Sequence, residues 1–219
     1  MGPDDLTAQG AALLTDRPAC VIGSGGATLG LGTALGWRED AAKLVPTAAA
    51  EGPVLAVVGS CSELTATQIE RAAARDEWAV LEWDPAAGAP ESQASDAQRL
   101  LRAGQHVLVH SGGSPVSGRR VAELGEGVPQ GLAAIADICR DGFTRLVIGG
   151  GDTSGDVLTL LGATNLTTVS VLDRDTCMCV VEGFGDGSRE VVLKGGQIGS
   201  SDFFIKAADG ERNGRDGHK

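Results

Sequence analysis

The chain has 219 residues, a formal net charge of −11, 42% hydrophobic residues, 3% aromatic residues and no tyrosine. That length suits one large domain or a domain with an appendage. The acidic balance disfavours non-specific binding to nucleic acid or anionic membranes, and so few aromatics give no stacking platform for single strands.

No apolar run is long enough to span a bilayer, and the start Met1-Gly-Pro-Asp-Asp-Leu6 lacks the apolar stretch of a secretory leader, so the expected location is the cytoplasm. Asp4 or Asp5 can cap a short helix running to Leu14. Ala19-Cys-Val-Ile22 reads as a strand that enters the turn Gly23-Ser24-Gly25-Gly26, with helix-compatible residues from Ala27 to Leu35. Val54 to Val58 is a second strand, followed by Gly59-Ser60-Cys61-Ser62 and a helix from Thr65 to Arg75. Trp78 to Trp83 is a third strand, Pro85 to Pro90 a loop, and Asp96 to Ala103 a helix. Val107 to His110 is a fourth strand that ends at Ser111-Gly112-Gly113-Ser114; a loop at Gly125 to Pro129 and a helix from Gln130 to Arg140 follow.

Leu146 to Ile148 is a fifth strand, and it stops at Gly149, Gly150 and Gly151. A short polar turn, Asp152-Thr153-Ser154-Gly155, leads into the helical pattern from Asp156 to Leu161. Thr167 to Leu172 is a sixth strand. Cys177 to Val181 and Glu190 to Lys194 flank the turn from Gly183 to Ser188, which predicts an antiparallel hairpin. Lys194-Gly195-Gly196-Gln197-Ile198-Gly199 comes next, then a short helix from Ser201 to Ala208. The charged, glycine-rich stretch from Gly210 to Lys219 is expected to be disordered.

Alternating strands and helices with short turns predict an α/β fold: a mostly parallel sheet with helices on both faces and a C-terminal β-hairpin. Ligands of such sheets bind at the carboxyl ends of strands. The turns at 23–26, 59–62, 111–114 and 149–155 are therefore expected to converge on one crevice.

The turn at 149–155 has the makings of a phosphate cradle. Glycines let the backbone approach an anion, and a helix start offers free N–H groups and the positive end of its dipole. Thr153 and Ser154 can add hydroxyl donors or cap that helix. The same residues also suit an ordinary tight turn. Ser60, Ser62 and Thr65 can line the pocket with hydroxyls or simply cap a helix; Thr65 stands where a capping box needs Glu or Gln. Lys194, at a strand end before two glycines, can reach phosphates as a point charge or sit in solvent. Asp152 can orient a magnesium-bound water or hold the turn through an Asx-type bond.

Five scattered cysteines, Cys20, Cys61, Cys139, Cys177 and Cys179, argue against a disulfide framework, and no thiolate metal site is expected. His106 and His110, four residues apart on one strand, are separated by roughly 13 Å and cannot share one small ion. There is no G-x-x-x-x-G-K-[ST] loop and no G-x-S-x-G elbow, and Gly23 to Thr28 is an incomplete dinucleotide fingerprint.

Four segments together are similar to one family: Val21 to Leu31, Val58 to Gln68, Gly150 to Gly155 and Leu193 to Phe204. In order and spacing they resemble the carboxy-terminal, nucleotide-binding half of the four-carbon acid sugar kinases, which phosphorylate D-threonate, D-erythronate or 3-oxo-tetronate. The likeness covers residues 19 to 207. Lys194-Gly-Gly-Gln-Ile-Gly199 stands where the family commonly has Lys-Ser-Gly-Asn-Phe-Gly, and Gly25-Gly26 also varies the usual pattern. Asp4-Asp5-Leu6-Thr7 is similar to the Asp-Asp-Leu-Thr-Gly motif of the family's sugar-binding domain, but Ala8 replaces its glycine and no strand precedes it.

The chain is thus expected to divide into a helical lead-in at 1–18, an α/β domain at 19–208 that the resemblance implies is nucleotide-binding, and a disordered tail at 209–219. The resemblance implies ATP and Mg2+ as cofactors. Ser60, Ser62, Thr65, Gly149, Gly150, Gly151, Asp152, Thr153, Ser154, Gly155, Lys194, Gly195, Gly196 and Gly199 would form the site. The four-carbon acid sugar would be met through a separate sugar-binding domain that also supplies the catalytic base, with a homodimer as a further expectation. Two other readings stay open: a non-catalytic nucleotide-binding or interaction module, and an oxidoreductase that uses Gly23 to Thr28.

Overall fold

A computed structural model describes residues 3–16, 20–23, 25–36, 45–86, 88–112, 127–173, 176–185 and 187–210. The chain divides into two compact units, residues 1–44 and 45–219. The first unit contains α1 (Pro3–Asp16) and α2 (Gly25–Ala34). A Cβ on Gly10 would overlap the Gly30 carbonyl, and one on Gly30 would overlap the Leu6 carbonyl, so the two helices meet backbone to backbone. Because α1 begins at Pro3, Asp4 and Asp5 lie inside the helix rather than capping it. The strand expected at 19–22 is corrected: Cys20 to Gly23 are exposed and join no sheet, and Ile22 is 96% exposed. A short apolar run becomes a strand only when a neighbour pairs with it, and none does so here among the described residues.

The second unit is built on an eight-stranded sheet. In chain order it contains β1 (Val45–Pro46), β2 (Val54–Val58), α3 (Glu63–Ala73), β3 (Trp78–Glu82), α4 (Glu91–Arg102), β4 (His106–His110) and α5 (Val128–Ile138). There follow β5 (Arg145–Gly149), α6 (Gly151–Leu160), β6 (Asn165–Asp173), β7 (Thr176–Glu182), β8 (Arg189–Lys194) and α7 (Phe203–Asp209). The strand order is β1-β6-β7-β8-β5-β2-β4-β3. Only the β6–β7 and β7–β8 pairs are antiparallel. The α/β fold is thus as expected, a mostly parallel sheet with a C-terminal hairpin. Pro129 belongs to the first turn of α5 instead of the loop expected at 125–129, and a proline there loses no intrahelical bond.

Alternation along the strands feeds two cores. Leu55, Val57, Val107, Val109, Leu146 and Ile148 face α4, α5 and α6. Val54, Ala56, Val58, Leu108 and Val147 face α3 and α7, where Phe203 and Phe204 are fully buried. Strands apolar on both faces belong at the centre of a covered parallel sheet. Arg145 is also buried: its guanidinium donates to Glu190 Oε2 at 2.8 Å, Ala207 O at 2.6 Å and Ala48 O at 3.1 Å, tying β5 to β8, α7 and the segment after β1. No described helix is long and apolar enough to cross a membrane.

Candidate functional site

β2 and β5 are neighbours, paired in parallel, yet the helices that follow them leave on opposite faces. α3 packs into the Phe203–Phe204 core and α6 into the other. This is a topological switch point, where the two departing helices open a crevice at the carboxyl ends of the strands. β8 adds a third parallel strand: Val58, Gly149 and Lys194 stand in one row across the sheet. The turns leave that row in register, with Gly59 N donating to Gly149 O and Gly150 N donating to Lys194 O, both at 2.8 Å.

The turns interlock because their glycines leave room. Gly150 has φ +122°, and a Cβ on it would stand 2.9 Å from Thr153 Oγ1 and 3.4 Å from Ser60 N. A Cβ on Gly59 would meet Thr153 Oγ1 at 2.5 Å, and one on Gly196 would meet Ser60 Oγ at 3.0 Å. Gly151 and Gly155 have nothing within 4 Å of that position, so the start of α6 opens on free space. Thr153 and Ser154 are buried inside α6 and neither caps it; the Ser154 hydroxyl donates back to Gly150 O at 2.6 Å. Asp152 is exposed in the first turn of α6 and forms no Asx-type bond among the described residues.

Ser62 caps α3, accepting from Thr65 N at 3.1 Å, so the helix starts at Glu63, ahead of Thr65. Its hydroxyl also donates to Gly196 O, and Thr65 is fully buried beneath it. Lys194 is 1% exposed, and its Nζ donates to Thr65 Oγ1 at 2.8 Å, Gly195 O at 2.9 Å and Gly196 O at 3.3 Å. The Phe203 ring lies 6.0 Å from that ammonium. Burial pushes the Lys194 pKa down to about 8.

Ser60, Ser62, Thr65, Gly149 to Gly151, Lys194, Gly195 and Gly196 are therefore brought together. Gly199, with φ +90°, packs on Phe203 and shapes the loop into α7. The turn at 111–114 is described only as far as Gly112, and the turn at 23–26 lies in the other unit. With no strand before it among the described residues, the latter also lacks the context of a dinucleotide fingerprint.

Sequence reasoning missed the part of Gln68. This buried amide on α3 donates to Ile198 O at 3.2 Å and Ser200 O at 2.8 Å, fixing the loop that follows Lys194. Its signal was a polar residue on the inward face of an amphipathic helix. Among the described residues no group of three or more His, Cys, Asp or Glu side chains stands together as a metal site.

Residues 55–204 match the model of the nucleotide-binding C-terminal domain. The chain belongs to that family. Its stretches around the switch point carry the resemblance to the four-carbon acid sugar kinases, and known proteins agree. A 3-oxo-tetronate kinase of Methylobacterium radiotolerans is 33% identical over 222 residues, covering 94% of this chain and 51% of that protein. A 3-oxo-isoapionate kinase of Paraburkholderia graminis is 32% identical over 195 residues, covering 78% of this chain and 41% of that protein. The chain thus spans about half the length of these curated relatives. A crystal structure described as a putative tRNA synthase from Salmonella typhimurium LT2 has the same fold, with a TM-score of 0.67 and 21% identity over 94% of this chain and 50% of that one. The chain is thereby a nucleotide-binding domain of the acid sugar kinase family, in its carboxy-terminal class.

Proposed function

We propose that this chain is the ATP-binding half of a four-carbon acid sugar kinase, transferring a phosphoryl group from ATP to an acid sugar hydroxyl once a sugar-binding domain is joined to it. The observation that carries this reading is the meeting of three in-register turns, 59–62, 149–151 and 194–196, at the switch point between β2 and β5. The crevice fits a phosphate chain. The strained Gly150 turn presents the start of α6, open space lies over Gly151 and Gly155, and the buried ammonium of Lys194 gives the floor a positive charge. In this reading the 149–155 turn holds the phosphates through backbone N–H groups, Lys194 through its charge, and Ser60, Ser62 and Thr65 line the same crevice.

The segments 59–62, 149–155 and 194–196 hold one carboxylate, Asp152, too few for a protein cage around a cation. Mg2+ held mainly by phosphate oxygens needs no such cage and supplies charge neutralisation for phosphoryl transfer. The base that activates the sugar hydroxyl belongs, in this proposal, to the sugar-binding domain, as does recognition of the acid sugar. A homodimer and a cytoplasmic location are part of the same proposal.

The test is calorimetric titration with ATP and Mg2+, alone and with a sugar-binding half supplied as a separate polypeptide, beside Lys194→Ala. Saturable binding that the variant loses supports the reading. Failure of the unsubstituted chain to bind in both settings refutes it and leaves the non-catalytic module.

A further inference from the structure

We infer that Ser60 is the side-chain donor that meets an anion in this crevice, and that Lys194 sets the direction of the Ser60 hydroxyl through Thr65; this deepens the nucleotide reading and rests on it. An ammonium has three protons and no acceptor, and all three of Lys194 are taken by Thr65 Oγ1, Gly195 O and Gly196 O. With the side chain 1% exposed, Nζ has no proton left for a ligand.

Gly196 O accepts from Lys194 and from Ser62 Oγ, which lies nearer to it than to Thr65 Oγ1 at 2.9 Å, and these two donors fill its lone pairs. Thr65 Oγ1 stands 3.1 Å from both Gly196 O and Ser60 Oγ, and with Gly196 O already accepting twice, its single proton is directed to Ser60 Oγ. Ser60 Oγ also accepts from Ser62 N at 3.4 Å. Both acceptor positions of Ser60 are then occupied, and its unspent capacity is its own proton. Among the described side chains its acceptors in reach are Thr65 Oγ1 at 3.1 Å, already committed as a donor to Ser60, and Ser62 Oγ at a long 3.4 Å. Ser60 is half-buried in the turn after β2, at the carboxyl end of the strand where the crevice opens. A hydroxyl that can only donate selects an anionic oxygen over a donor ligand.

Loss of one proton from Lys194 to solvent reverses the chain. The neutral amine accepts from Thr65 Oγ1, Thr65 accepts from Ser60, and the lone pairs of Ser60 face the anion. The charged residues on the elements packed around Lys194 do not hold its charge in place. Glu63 on α3 and Asp152 on α6 are exposed, Asp202 just before α7 lies 3.9 Å from Arg71, and Lys206 on α7 pairs with Asp173 at 3.3 Å. Burial is what brings the titration down to about 8.

The test uses inorganic sulfate, whose charge is constant from pH 6.5 to 9.5, titrated into the full chain and followed by backbone amide shifts. The Lys194 titration is read separately from its 13Cε resonance. Sulfate affinity is expected to fall about tenfold as Lys194 loses its proton, the equivalent of one charge-assisted hydrogen bond. Thr65→Ser keeps that step. Thr65→Val and Ser60→Ala reduce it to the part owed to the lost charge alone, while the 13Cε titration persists. A full wild-type pH step in Thr65→Val, or in Ser60→Ala, overturns the inference, as does a chain that binds no sulfate at all. ATP in the same buffers separates the two ideas. Sulfate relay without ATP binding refutes the nucleotide reading alone, whereas ATP binding with an unaltered pH profile in Thr65→Val refutes the relay alone.

Discussion

Gly150 and Gly151 are adjacent, yet opposite outcomes are expected when each becomes alanine. Gly150 has φ +122° and ψ +129°, backbone geometry almost confined to glycine, and a Cβ there stands 2.9 Å from Thr153 Oγ1 and 3.1 Å from Thr153 Cβ. The backbone strain alone costs about 1–3 kcal/mol. Thr153 is buried inside α6 and cannot swing away, so displacing it adds roughly 1 kcal/mol of overpacking. Gly150→Ala is thus expected to lose about 2–4 kcal/mol, which in a unit of this size lowers Tm by roughly 5–15 °C. Gly151 has no unusual φ and no atom within 4 Å of its Cβ position, and it is the first residue of α6. Gly151→Ala should be neutral or stabilising by up to about 1 kcal/mol. Its methyl group, however, projects into the space proposed for phosphate, so ATP affinity should drop even though the fold is intact. Urea unfolding and calorimetric ATP titration of both variants measure the two effects independently. Equal stability of Gly150→Ala and Gly151→Ala would refute the account of the turn. A stable Gly151→Ala chain with unaltered ATP affinity would refute the placement of the phosphate.

Gly131 in α5 lies against the Trp83 ring, which a Cβ would overlap; Gly131→Ala should expel that ring, red-shift tryptophan fluorescence and cost about 2–4 kcal/mol. An unshifted emission maximum would show that α5 moves instead. Burial lowers the pKa of His106, whose Nδ1 accepts from Val54 N at 3.0 Å, and that of His110, whose Nδ1 accepts from Gly112 N at 3.3 Å. Below the ordinary histidine pKa of about 6.5 the unfolded chain therefore binds more protons than the folded one, and stability falls as pH drops from 7 through that window. Urea midpoints between pH 7 and 5.5 should show this slope, and His106→Gln should reduce it. Arg145→Met strands Glu190 and frees the Ala48 and Ala207 carbonyls. Because the Glu190 side chain is about a third exposed (36%), the expected cost is about 2–4 kcal/mol by urea unfolding rather than the full value for a buried pair.

Much of the architecture was legible because the central strands are continuous apolar runs punctuated by glycine. Val54–Val58 and Leu146–Ile148 announce buried parallel strands, and Gly59 and Gly149 announce where they stop. The same pattern misled at Ala19–Ile22, since an apolar run does not reveal whether a neighbouring strand exists. The β7–β8 hairpin was legible from its turn at Gly183 to Ser188, but the rest of the strand order was not, as nothing local states that β8 then lies beside β5 or that β6 runs against β7. The site turns were found from their residue types, but the environment of Lys194 was not. A lysine at a strand end usually reaches solvent, and the hydroxyl that receives this one lies 129 residues away. Gln68 was missed for a related reason: its partners are carbonyls of a loop, which leave no mark on the sequence.

The hairpin of β7 and β8 bears on the order in which the sheet assembles. β8 reaches the central sheet as the second arm of a local antiparallel hairpin, with no crossover helix of its own. Residues 176–194 can therefore pair among themselves early, because short loop closures come before long ones. Docking of that hairpin onto β5 carries an ammonium into the interior, and the hydroxyl and backbone of distant segments must already be in place to receive it. Completion of the anion crevice and closure of the sheet are consequently a single event. A refolding experiment that follows ATP competence should see it arrive with the last protected amides of β5 and β8, and not before.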